Sequence, residues 1–152
     1  MESGEDSDKY GYSISQTPDA KMLAVGAPYG SSEAGTVYLY SKVNSSSPFK
    51  QIDESISGFG PEDHLGMSVS LALDGGRVGI GLPGRGIDQG ERFGSVIVYK
   101  VEKSDGTETL LLPSKEIYGD EGQNFGSSVA LTSNGTVVAV GIPSAGIVRT
   151  YK

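Results

Sequence analysis

Phe125-Gly126-Ser127-Ser128-Val129-Ala130, then Gly141-Ile142-Pro143, then Gly146-Ile147-Val148-Arg149-Thr150-Tyr151: this stretch decides the fold, because its three marks occur twice more. Upstream stand Tyr10-Gly11-Tyr12-Ser13-Ile14-Ser15 and Leu65-Gly66-Met67-Ser68-Val69-Ser70. Each is followed 15 residues after its glycine by Gly26-Ala27-Pro28 or Gly81-Leu82-Pro83. The third mark recurs as Gly35-Thr36-Val37-Tyr38-Leu39-Tyr40 and Gly94-Ser95-Val96-Ile97-Val98-Tyr99, each glycine five residues before a tyrosine. The period is 55 and then 60 residues, so the chain is three copies of one unit.

Each unit reads as strands. Tyr12 to Ser15 and its equivalents alternate with period 2 and form strand A. Strand B is Leu23-Ala24-Val25-Gly26, Val78-Gly79-Ile80-Gly81 and Val138-Ala139-Val140-Gly141. A bulky residue alternates there with Ala or Gly, so one face is tiny, as a closely packed second sheet requires. Strand C is the valine run ending in tyrosine, and a weaker strand D is expected near Phe49-Lys50-Gln51-Ile52 and Leu110-Leu111-Leu112. Asp74-Gly75 and Asn134-Gly135 mark A–B hairpins, with Pro18-Asp19-Ala20-Lys21 at the same place in the first unit. No segment of useful length has helical periodicity. Four antiparallel strands in 50–60 residues is the pattern of a propeller blade.

Composition agrees. Glycine is 23 of 152 residues, about twice the usual share, which suits short strands and tight turns. There are 12 basic and 19 acidic residues, so 12 − 19 = −7 with the single His neutral. That charge argues against nucleic-acid phosphates and anionic membranes as partners. No apolar run is long enough to insert into a membrane, and the acidic start Met1-Glu2-Ser3-Gly4-Glu5-Asp6 does not read as a signal peptide. The absence of cysteine excludes disulfides, thiolate zinc sites and Cys nucleophiles.

At these marks the sequence resembles the FG-GAP repeat family, the blades of the integrin alpha-subunit N-terminal β-propeller. Phe125-Gly126 and Gly26-Ala27-Pro28 match the two motifs literally. Tyr10 and Leu65 replace the Phe, and Leu82 and Ile142 replace the Ala. The resemblance covers about residues 4–152. It implies an all-β, single repeat domain (1–152) of antiparallel four-stranded blades, at about 4–57, 58–118 and 119–152, the last without its final strand. It also implies a cell-adhesion type of function, with ligand held on the face built from the D–A and B–C loops. One version of the family carries an Asp-rich calcium loop between strands A and B. Here Gln16 to Lys21, Ala72 to Arg77 and Thr132 to Thr136 are short and lack the alternating oxygen ligands of a calcium cage. The non-calcium version is the one resembled, and no cofactor or metal site is expected.

Propellers close with about four to eight blades, and three cannot enclose a channel. The expectation is therefore a part of a longer multi-blade protein, or a homo-oligomer that completes the ring across chains. Open end blades would expose small-residue, apolar faces.

Candidate contact residues lie in the loops. The B–C loop varies from unit to unit, spanning 9, 13 and 5 residues between its bounding glycines, while the framework spacing holds. The longest, Gly84 to Arg92, carries two arginines able to fork onto carboxylates. Arg85-Gly86-Ile87-Asp88 is not an Arg-Gly-Asp tripeptide, so it implies no integrin-ligand role. The set expected to contact a protein or glycan ligand is Tyr29, Asp63, His64, Arg85, Asp88 and Arg92.

His64, beside Glu62-Asp63, could also form a base or a metal ligand, although a solvated loop residue is the commoner role of such a histidine. The acidic loops Glu5-Asp6-Ser7-Asp8, Glu62-Asp63 and Asp120-Glu121 read as solvated edges or as a cation-attracting ring. Asn44-Ser45-Ser46 and Asn134-Gly135-Thr136 are glycosylation sequons and weakly favour an extracellular or cell-surface location. Tyr40, Tyr99 and Tyr151 read as packing residues rather than a sugar-stacking set. The expected function is a non-catalytic interaction module. The alternatives are a structural subunit that self-assembles through blade edges, and a hydrolase or lyase working on the propeller face.

Overall fold

A computed structural model describes residues 6–52, 54–86, 90–103 and 109–152. Among these the chain is all-β, in three antiparallel sheets that follow the three sequence units. The first sheet joins β1 (Ser13–Gln16), β2 (Met22–Ala27) and β3 (Thr36–Ser41), with β4 (Lys50–Gln51) and β5 (Ile56–Ser57) both pairing β3. The second runs β6 (Ser68–Leu71), β7 (Arg77–Leu82), β8 (Ser95–Lys103) and β9 (Thr109–Tyr118). The third holds β10 (Ser128–Leu131), β11 (Val138–Ile142) and β12 (Ile147–Tyr151). Register repeats with the sequence marks: Gly26 faces Val37, Gly81 faces Val96 and Gly141 faces Val148.

The fourth strand lies where it was expected but differs in form. In the first unit it is broken into β4 and β5. In the second it is much longer than three leucines and carries an irregularity opposite Val98 and Tyr99, beside Pro113. Proline donates no hydrogen bond, and an outermost strand is where a sheet accepts it.

The first mark is a turn. Tyr12, Met67 and Ser127 each donate a backbone N–H to the carbonyl three residues back, on Lys9, His64 and Asn124. Gly11, Gly66 and Gly126 sit at the third position of these turns with φ of 88°, 90° and 91°. That is the type II geometry, where only a residue without a Cβ is unstrained. The A–B hairpins also repeat. Gly75 and Gly135 close their turns with φ of 72° and 65°, and Ala20 does the same with φ 54°. Asp19, Asp74 and Asn134 each accept a backbone N–H two residues on, which helps close these loops.

The sheets pack in chain order, β1 against β6 and β6 against β10. The tiny face of strand B makes this possible. A Cβ on Gly26 would overlap the Gly66 carbonyl oxygen, and one on Gly81 would overlap that of Gly126. Beside these contacts Ser13 Oγ donates to Gly66 O at 2.7 Å and Ser68 Oγ to Gly126 O at 2.8 Å. Leu71 N–H donates to Ser15 Oγ (2.9 Å) and Leu131 N–H to Ser70 Oγ (3.0 Å). Parallel bridges link Gly35 to Leu65 and Gly94 to Phe125. The two interfaces are one design used twice.

Between the first and second sheets lie Ala24, Val37, Leu39, Leu65, Val69, Val78 and Ile80. Between the second and third lie Val96, Ile117, Phe125, Val138, Val140 and Ile142. Burying aliphatic side chains of this size supplies about 1.5–3 kcal/mol each. Tyr40 and Tyr99 are buried, and Tyr151 packs edge-on against Phe125 at 5.8 Å, so the strand C tyrosines belong to the packing.

Candidate functional site

The type II turns gather the equivalent residues Tyr12, Met67 and Ser127 at the start of each strand A. With His64, Asn124, Arg92 and the Pro83-Gly84 corner they line a depression of about 450 Å³. His64 is placed by its backbone: φ is 55°, its N–H donates to Glu33 O at 3.2 Å and its carbonyl accepts the Met67 N–H. The imidazole meets the Tyr29 ring edge-on at 5.1 Å. Tyr29 in turn stands 6.4 Å from Tyr12. Three aromatic rings from two units thus form one row. On the other side of Tyr29 a hollow of about 610 Å³ is lined by Asp8, Lys9, Glu33 and three serines.

Arg85 does different work. Its guanidinium lies 4.4 Å over the Phe59 ring, 3.8 Å from Asp63 and 3.7 Å from Glu116. It also donates to Gly86 O at 2.9 Å. Asp63 is only 4% exposed, and its Oδ2 accepts the N–H groups of Phe59 and Gly60, both at 2.9 Å. A carboxylate held by two backbone donors and an arginine fastens the D–A connection to the second sheet. Its Oδ2 is engaged inside the protein. Glu116 also accepts from Ser95 Oγ at 3.1 Å. The adjacent Tyr118 phenol is shifted up, first by burial and then by the Glu116 carboxylate.

Of the six residues expected from sequence, the structure brings His64 and Arg92 to one depression, sets Tyr29 against the His64 ring beside it, and ties Asp63 to Arg85 in a separate ion pair. Asp88 lies outside the described residues. Arg92 pairs with Glu62. Asp120 pairs with Arg149 at 3.3 Å. Three of these loop acids, Glu62, Asp63 and Asp120, are thus paired with arginines of the same chain. Among the described residues no three His, Asp or Glu side chains gather as a metal-holding cluster.

Sequence reasoning missed Tyr12, Met67, Asn124 and Ser127. The signal was present: Tyr12, Met67 and Ser127 occupy one repeat position, directly after the glycine of the first mark.

No family model matches this chain, and no curated protein matches it. The functional reading therefore rests on the residues and their arrangement.

Proposed function

We propose that the chain is a non-catalytic interaction module: three blades of an FG-GAP-type propeller that bind a protein or glycan on the loop face, outside the cell or at its surface. One observation carries the reading. Loops of different units converge on a single depression lined by Tyr12 and His64, whose rings both meet Tyr29 beside it, by the ion-paired Arg92 and by two amide or hydroxyl groups (Asn124, Ser127). Aromatic faces with a few oriented polar groups suit sugar rings and peptide side chains alike. The Asp63–Arg85–Glu116 assembly fixes the loops, so little ordering is needed on binding.

The test is a binding screen on arrays of neutral, sialylated and sulfated glycans, together with cross-linking to cell-surface protein. His64→Ala and Arg92→Ala should each weaken the binding found by about tenfold, or ~1.4 kcal/mol. Binding that both variants leave intact would remove the depression from consideration.

A further inference from the structure

The interface between sheets is formed twice inside the chain, and among the described residues each of its two halves is also present once without a mate. The unmated donor half is the outer face of the third sheet. Val148 occupies the register position of Val37 and Val96, which are fully buried, yet it is 69% exposed. Ser128, equivalent to Ser13 and Ser68, is exposed. A Cβ on Gly141 would meet only Ser128 of its own sheet, and one on Gly146 would meet nothing, where the equivalents at Gly26, Gly81, Gly35 and Gly94 would strike the next unit's backbone.

The unmated acceptor half is the outer face of the first sheet. Gly11 keeps the turn geometry of Gly66 and Gly126, but a Cβ there would meet nothing, where theirs would meet the preceding unit. Ile14, equivalent to the 8% exposed Val69, is 68% exposed.

We propose that these halves mate between two copies of the chain, the third sheet of one on the first sheet of the next. The occupant is argued from continuity with the internal interface: Ser128 Oγ would reach the Gly11 carbonyl as Ser13 and Ser68 reach theirs. The contact is heterologous, so copies add head to tail and close into a ring or extend. It is also weaker than the internal ones. Ala130 replaces the serine that bonds Leu71 and Leu131, and Gln16 replaces those leucines. Association should therefore be reversible.

Sedimentation of the purified chain from ~10 µM to ~1 mM should show the mean mass rising above the 15.8 kDa of one copy. Val148→Asp blocks one face and Ile14→Asp the other, and both side chains are exposed enough to leave folding intact, which circular dichroism checks. Each variant alone should stay monomeric at every concentration. Mixed in equal amounts, they should give a species of two chains and no larger, because one intact half remains on each. Ala130→Glu and Gln16→Glu form a second pair should either first variant fail to fold. A wild-type chain that stays monomeric throughout, variants that still associate alone, or a mixture that stays monomeric would each overturn the proposal.

Discussion

Gly26→Ala, Gly81→Ala and Gly141→Ala change the same repeat position, yet their costs should differ widely. At Gly81 the new methyl would overlap the Gly126 carbonyl oxygen and Ser68 Oγ. A hydroxyl can rotate away, but the backbone carbonyl cannot, so the second and third sheets must part. Overpacking of this kind costs about 1–3 kcal/mol. The Ser68–Gly126 hydrogen bond sits at the same contact, and losing it adds about 1 kcal/mol. Alanine returns about 0.5–1 kcal/mol over glycine in a strand. The net loss is about 1–3.5 kcal/mol, or roughly 2–14 °C in Tm for a chain of this length. Gly26→Ala, against Gly66 and Ser13, should behave alike. At Gly141 the methyl meets only the Ser128 side chain, so stability should stay within about 0.5 kcal/mol of wild type. Urea titrations followed by circular dichroism, at low concentration to exclude association, measure all three. Equal losses at the three positions would refute the reasoning, since the need for glycine would then come from the strand and not from the neighbouring sheet.

Other outcomes follow from single contacts. Asp63→Ala strips two backbone N–H groups and Arg85 of their carboxylate and should cost about 2–3 kcal/mol in the same titration. Ala20→Gly relieves the left-handed backbone that Gly75 and Gly135 adopt freely, and should raise stability by about 0.5–1 kcal/mol. Burial, and after it the Glu116 charge, push the Tyr99 phenol above its ordinary value of 10.0. The folded chain then holds this proton more tightly than the unfolded one, so the contribution is whole below pH ~10 and is lost as pH rises through the folded value. Tyr99→Phe should flatten the alkaline fall in Tm, and an unchanged fall would assign it to other groups.

Much of the local structure was legible beforehand. Strands A, B and C fall where period-2 alternation put them, and the Asp74-Gly75 and Asn134-Gly135 turns form as their side chains dictate. The alternation of bulky with tiny residues in strand B correctly announced a close sheet on one side. Strand D was legible in place but not in extent: β4 lies within one expected stretch and β9 includes the other, whereas β5 and the ten-residue length of β9 carry no pattern beyond them, an outermost strand having only one neighbour to impose one. The candidate site was half legible. His64 and Arg92 line the depression and Tyr29 stands against His64, whereas Arg85 and Asp63 look in sequence like any exposed loop charges.

By itself, then, the sequence determined the unit: its strands, their register marks, and the glycines that its turns demand, since backbone sterics and side-chain alternation act over a few residues. Tertiary structure alone decided the fate of equivalent residues. Val37 and Val148 carry the same side chain at the same register, one fully buried and the other 69% exposed, because burial is conferred by whichever sheet packs next to a residue. The same reason turned Asp63 into an anchor and gathered Tyr12, Met67 and Ser127, 55 and 60 residues apart, around one depression.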